Sequence, residues 1–314
     1  QENAGLDIVT DGNMWYDDYV GVIGSFCWYL YERIDGFEQA KEEHPSTVGV
    51  TERNMPQEML HDWGGVVNSG PVKNSRLRFA DLYKIAKTHA TKPIKVSVGA
   101  GPINLAWHVH FKHYKDPKEL SFALAPIFNQ EMKDLVAAGA TYLQLEDLGP
   151  WLPLFTNNKD DYKWIREVVE QCCDGVNAKI GWHFCFGNAW GNDILSAAFP
   201  TGYQTVLPYF FGTAGVDEFV LDYANRHMDG VEFLKNLPAN QGAQVGVLDI
   251  RTNAVESPQQ IADRVRKVVK AVPADKVTLS TDCGMKPLAR MVANLKLHAL
   301  AEGAAIVRKE VAGV

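Results

Sequence analysis

The sequence predicts an α/β protein, a closed (β/α)8 TIM barrel, and three observations carry that reading. Short β-rich runs alternate with amphipathic helical patterns along the whole chain, which implies parallel strands joined by crossovers. Polar, chemistry-bearing residues follow the C-terminal end of nearly every run, as they do when all strands feed one barrel mouth; a doubly wound open sheet accounts for the alternation alone. The 314 residues suit a barrel of roughly 250 residues enlarged by an insertion.

The elements follow in order. The chain opens on what reads as the end of a helix before a first visible strand at residues 8–10, which Asp11-Gly12 closes. A barrel needs eight strands and seven are visible, so the first strand-helix unit is expected to lie outside this numbering unless something else closes the barrel. Residues 36–90 form a long Gly-, Pro- and Asn-containing insertion, read as a lid or hairpin within a single domain spanning 1–314. Strands are expected at 94–98, ended by Gly99-Ala100-Gly101-Pro102, and at 142–145, ended by Glu146-Asp147. Others are expected at 179–182 before His183, 218–221 before Asp222, 245–250 before Arg251, and 277–280 before Thr281-Asp282-Cys283. Helical periodicity covers 120–138, 160–173, 258–271 and 288–300, and Ser257 followed by Pro258 is a helix-start signal.

Composition narrows the class. With 46% hydrophobic and 22% charged residues and a formal net charge of −7, the chain can bury a sizeable core and is not a disordered polyelectrolyte. No Lys/Arg cluster points to nucleic acid, and no apolar run approaches the ~18 residues of a membrane span. The opening residues lack a signal-peptide pattern, so a cytoplasmic location is expected. Five cysteines do not make a disulfide framework in a chain this long. Cys27, Cys172 and Cys173 read as small buried hydrophobes. Cys185 and Cys283 differ, since each lies just past a strand.

His183-Phe184-Cys185 places an imidazole and a thiol two residues apart, on one face of extended chain, and Cys283 reaches the same barrel mouth from the last strand. Two thiolates and an imidazole suit Zn2+, with Asp222 as the natural oxygen ligand. A packed histidine beside a buried cysteine is the other reading of the same residues. His108, His110 and His113 form a second group, but no carboxylate or cysteine accompanies them and a solvated loop carries histidines readily.

Several segments resemble one family along essentially the whole chain. These are Asp7-Ile8-Val9-Thr10-Asp11-Gly12, Gly101-Pro102 through Trp107, Leu143-Gln144-Leu145-Glu146-Asp147, His183-Phe184-Cys185-Phe186-Gly187-Asn188, Gly246 through Ile250 with Val255-Glu256-Ser257-Pro258, and Asp282-Cys283-Gly284-Met285-Lys286. They are similar to motifs of the cobalamin-independent methionine synthase catalytic domain. The resemblance implies a zinc barrel that binds a small-molecule thiol acceptor as thiolate and transfers a methyl or small alkyl group to it from a folate-like donor. It implies His183, Cys185, Cys283 and Asp222 as metal ligands, the last in place of the family's Glu. Trp107 matches the family's donor-stacking tryptophan; Asn13, Glu146 and Asn188 are expected to meet substrate, and Asp147 and Arg251 to handle polar groups and protons. Asn13 replaces an acid, Glu146 an Asp, and Arg251 a His, so a thiol other than homocysteine is expected. Zinc-dependent joining of a thiol cofactor to an epoxide-like electrophile uses the same residues, and a zinc-stabilised scaffold is the non-enzymatic alternative. Oligomeric state is not legible.

Overall fold

The structure, a computed structural model, describes residues 1–13, 24–39, 66–107, 109–147, 149–186, 188–189, 192–193 and 202–313. Residues 2–5 are turn, closed by Gly5 N–H donating to the Glu2 carbonyl. This agrees with the helix end expected there: Gly5 sits at φ +89° and Leu6 N–H donates to the Gln1 carbonyl, the paired bonds and left-handed glycine that close a helix C-terminus. The strand expected at 8–10 is reduced to one parallel bridge between Val9 and Ile94.

Beyond it lie α1 (Gly24–Tyr31), β1 (Phe37–Gln39) and β2 (Val66–Asn68), the two strands pairing antiparallel. Residues 40–65 of the expected insertion lie outside the described residues. Its C-terminal part is α2 (Phe79–His89), tied to the barrel by Tyr83, whose hydroxyl donates to the Gly139 carbonyl at 2.8 Å. Then come β3 (Val96–Ala100), α3 (Pro102–Trp107) and β4 (His110–Phe111), which joins β2 in parallel. The long helix α4 (Pro117–Ala137) is capped by Asp116, whose carboxylate accepts from Glu119 N–H. It is followed by β5 (Tyr142–Asp147), α5 (Leu152–Thr156), α6 (Asp161–Cys173) and β6 (Lys179–Phe184). A two-residue hairpin of β7 (Asn188–Ala189) and β8 (Asn192–Asp193) precedes β9 (Glu218–Asp222), β10 (Gly242–Leu248), α7 (Pro258–Ala271), β11 (Val277–Thr281) and α8 (Arg290–Ala312). No described helix is long and apolar enough to cross a membrane.

Six strands make one parallel sheet in the order β11-β10-β9-β6-β5-β3. Alternation within each strand decides the layers. Residues such as Trp182, Phe184 and Phe219 face outward, where Trp182 and Phe184 pack edge-on against Phe210, fully buried under the helices. The other face is polar. There Lys95, just before β3, reaches Gln244 of β10 although three strands separate β3 from β10 in the sheet. Only a sheet rolled into a barrel brings those residues together, so the predicted barrel class holds.

Candidate metal centre

Register sets the centre. Glu146 of β5 lies opposite His183 of β6, and Asp222 ends β9 one strand further on. All three side chains therefore meet inside the C-terminal end of the barrel. His183 is bracketed there: Nδ1 lies 3.1 Å from Glu146 Oε2 and Nε2 lies 3.3 Å from Asp222 Oδ1. Ligand atoms of His183, Cys185 and Asp222 all fall within 4.8 Å of one another, the only such group of His, Cys, Asp and Glu among the described residues. Cys283 joins from beyond β11, its Sγ 3.9 Å from that of Cys185.

Neighbours hold these donors in place. Trp151, fully buried, donates its indole N–H to the Cys185 carbonyl at 2.9 Å and packs on Phe186. The Tyr203 hydroxyl accepts from Asp222 N–H and donates to the Phe184 carbonyl, tying the ends of β6 and β9. Asp282 accepts three backbone N–H groups, from Tyr223, Ala224 and Asn225. None of Trp151, Tyr203 and Asp282 was singled out from the sequence. For Asp282 a signal existed, a carboxylate beside a cysteine in a strand-end motif.

The electrostatics are those of a cation site. Burial opposes charge on His183, but hydrogen bonds to Asp222 and Glu146 override it and raise its pKa well above the usual value. Burial raises the Asp222 carboxyl against the pull of His183. The hydrogen bond with Cys185 lowers the Cys283 thiol despite burial. In contrast, burial pushes Cys27 and Cys173 up to about 12, which keeps both as inert thiols. One nitrogen, one carboxylate and two sulfurs converging in a buried, anion-rich pocket fit zinc by ligand type and number.

The other expected site residues are placed less centrally. Asp147, next along β5, faces away from Glu146: it is 2% exposed and its Oδ1 accepts from Gly149 N–H at 2.7 Å. Arg251 lies at the barrel rim, where its guanidinium donates to Asp249 and to the Asn225 carbonyl. Trp107 ends α3, is 6% exposed and meets Phe155 edge-on at 5.4 Å. Asn13 sits at φ +50° in a turn closed by the Asp11 side chain. Asn188 lies in β7, and its side chain and His108 are outside the described residues; His113 packs edge-on against Tyr114.

Known proteins resemble this chain along its whole length. Residues 1–305 match the catalytic domain of cobalamin-independent synthases. The chain is 30% identical over 313 residues to a methionine synthase of Saccharolobus solfataricus, covering 98% of this chain and 81% of that protein. It is 29% identical over 346 residues to a 2-hydroxypropyl-CoM lyase of Xanthobacter autotrophicus, covering 99% of this chain and 83% of the other. Among solved structures, a B12-independent methionine synthase from Shewanella sp. W3-18-1, in complex with selenomethionine, superposes with a TM-score of 0.81 at 28% identity, covering 100% of this chain and 86% of that one. This chain belongs to the cobalamin-independent synthase catalytic-domain family, that of the B12-independent methionine synthases.

Proposed function

We propose that the protein is a zinc-dependent thiol alkyltransferase, moving a methyl or small alkyl group from a folate-like donor to the sulfur of a small-molecule thiol. The observation that carries this reading is the convergence of His183, Cys185 and Asp222 within 4.8 Å of one another, with Cys283 beside Cys185. These four residues would hold the ion. A free thiol of pKa ~8.5 is mostly protonated at neutral pH, and zinc when bound lowers that pKa while leaving the sulfur nucleophilic. In the transfer a sulfur–carbon bond forms as the donor's nitrogen–carbon bond breaks, and a proton goes to the donor nitrogen.

The chain's own residues shape the pocket. Trp151 and Tyr203 fix the backbone at Cys185 and Asp222. Trp107, in α3 just after β3 at the same end of the barrel, is assigned to the donor ring, and Asn13 and Asn188 to substrate. Asp147 and Arg251 receive less support as proton-handling groups, because one faces outward and the other is engaged at the rim. A second reading, joining a thiol cofactor to an epoxide-like electrophile, is favoured by the relative named 2-hydroxypropyl-CoM lyase; it requires the same metal centre.

Elemental analysis of protein purified without chelator tests the proposal. About one zinc per chain is expected, lost on Cys185→Ser or Cys283→Ser, with a zinc-edge spectrum that changes when a thiol is added. Zinc content near zero refutes the reading. A spectrum indifferent to every thiol offered leaves the ion as part of a scaffold and refutes catalysis.

A further inference from the structure

We infer that Glu146 is a positioning residue that fixes the tautomer and orientation of the His183 ring, rather than a group that grips the acceptor. The inference rests on the metal reading above. A neutral imidazole carries one N–H, and the partner of the protonated nitrogen decides which nitrogen keeps a lone pair for a cation. His183 Nε2 is on the side of Asp222, at 3.3 Å, and Nδ1 faces Glu146 at 3.1 Å. Donation from Nδ1–H to Glu146 therefore leaves the Nε2 lone pair directed at the other ligands.

Glu146 is itself held for this task. Its Oε1 accepts from Ser97 Oγ at 2.8 Å and from Gln144 Nε2 at 3.1 Å, while Oε2 meets the ring. Ser97 on β3 and Glu146 and His183 on β5 and β6 occupy three adjacent strands, so the orienting chain is built on rigid sheet. Aspartate at this position, shorter by one C–C bond of about 1.5 Å, cannot keep both the Ser97 and His183 contacts from the same backbone. The longer side chain thus suits the ring contact, and Ser97, Gln144 and His183 already take three of the roughly four acceptor positions of the carboxylate.

Zinc affinity of the purified protein, measured by competition with a chromophoric chelator, tests the inference without recourse to turnover. Glu146→Ala is expected to weaken zinc binding by roughly 10- to 100-fold. Glu146→Gln, whose carbonyl still accepts from Nδ1–H, is expected to recover most of that loss, and Ser97→Ala to show a smaller one. Nitrogen-15 spectra of histidine-labelled, zinc-loaded protein should show His183 protonated at Nδ1. Full zinc affinity in Glu146→Ala, or a proton on Nε2, overturns the inference. So does a Glu146→Ala protein that keeps its zinc and instead raises the KM for the thiol. A wild-type protein that binds no zinc overturns the metal reading as well; one zinc held equally by wild type and Glu146→Ala overturns this inference alone. Should Glu146→Ala fail to fold, the order wild type, Ser97→Ala, Glu146→Gln in affinity and the His183 spectrum decide it.

Discussion

Asp282 supports the candidate metal centre without belonging to it. Its carboxylate is 2% exposed; Oδ1 accepts from the N–H groups of Tyr223 at 2.9 Å and Ala224 at 2.8 Å, and Oδ2 from Asn225 at 2.6 Å. One side chain after β11 thereby fixes the turn that leaves Asp222, and the Asn225 carbonyl in turn receives Arg251. The arrangement depends on Gly246, because a Cβ there would fall on the Asp282 carboxylate. Asn in place of Asp282 keeps the shape but turns an NH2 toward backbone N–H groups, so at least one buried donor loses its acceptor. Asp282→Asn should cost about 1–3 kcal/mol of stability and weaken zinc binding although no ligand is altered. Urea unfolding and chelator competition check the two effects, and a variant indistinguishable from wild type in both removes Asp282 from the account. Cys283 was legible as a candidate ligand from its residue type and strand-end place, and the structure sets its Sγ 3.9 Å from that of Cys185. Asp282 was not legible as a support, because its partners are backbone N–H groups on a loop nearly 60 residues away in sequence, which no local pattern announces.

At the scale of elements, α7 is the part where sequence and structure agree most closely. Ser257 accepts from Gln260 N–H and Gln260 reaches back to Ser257 N–H, a complete capping box with Pro258 in the first turn. Ser257→Ala should lower stability by about 1 kcal/mol, read as a shifted urea midpoint with an unchanged slope; no shift would mean that packing alone holds this end of the helix. Such signals are local and therefore readable, as are the strand ends, where a run of apolar residues stops at a polar one. The helix after β11 was expected to stop at 300 and runs to Ala312. Gly303, within the extra turns, serves packing, since a Cβ there would press on Ile261 of α7 at 2.5 Å. The short helices α1 and α5, of 8 and 5 residues, have too few turns to show a period, and tertiary contacts make them. Likewise, the Glu146–His183 contact depends on register between β5 and β6, and register belongs to the sheet rather than to either strand's sequence.

Across the whole molecule the barrel interior divides into two polar layers, the candidate metal centre at the C-terminal ends of the strands and a closed charge cluster at the other. In the lower layer Glu218 accepts from the Tyr142 hydroxyl, from Lys179 at 2.6 Å and from Thr278 at 3.3 Å, and Lys95 lies 3.8 Å from it while donating to Gln244. These residues come from β5, β6, β9, β10, β11 and the residue before β3, so the cluster ties together every strand of the six-stranded sheet. Lys95 is the costly member. Burial lowers its ammonium pKa to about 8, against the opposing pull of Glu218 and Glu146. In the unfolded chain the same group titrates near 10.4. Between those values the unfolded state binds the extra proton, so stability attributable to Lys95 rises with pH across the window. From pH 8 to pH 9.5 the gain is about 1.5 kcal/mol, and it fades below about pH 7, where both states are protonated. Burial and Glu218 also push the Tyr142 phenol up, and unfolded tyrosines ionise near pH 10, which sets the upper limit of a clean comparison. Lys95→Met fills similar volume and leaves Glu218 with Lys179, Tyr142 and Thr278 as partners. Wild type should therefore gain on Lys95→Met by about 1.5 kcal/mol in urea unfolding between pH 8 and pH 9.5, because groups common to both proteins cancel in the difference. A difference that stays flat or moves the other way would show that the ammonium is fully stabilised inside the barrel, and that the lower layer is a net source of stability at neutral pH rather than a cost borne for barrel closure.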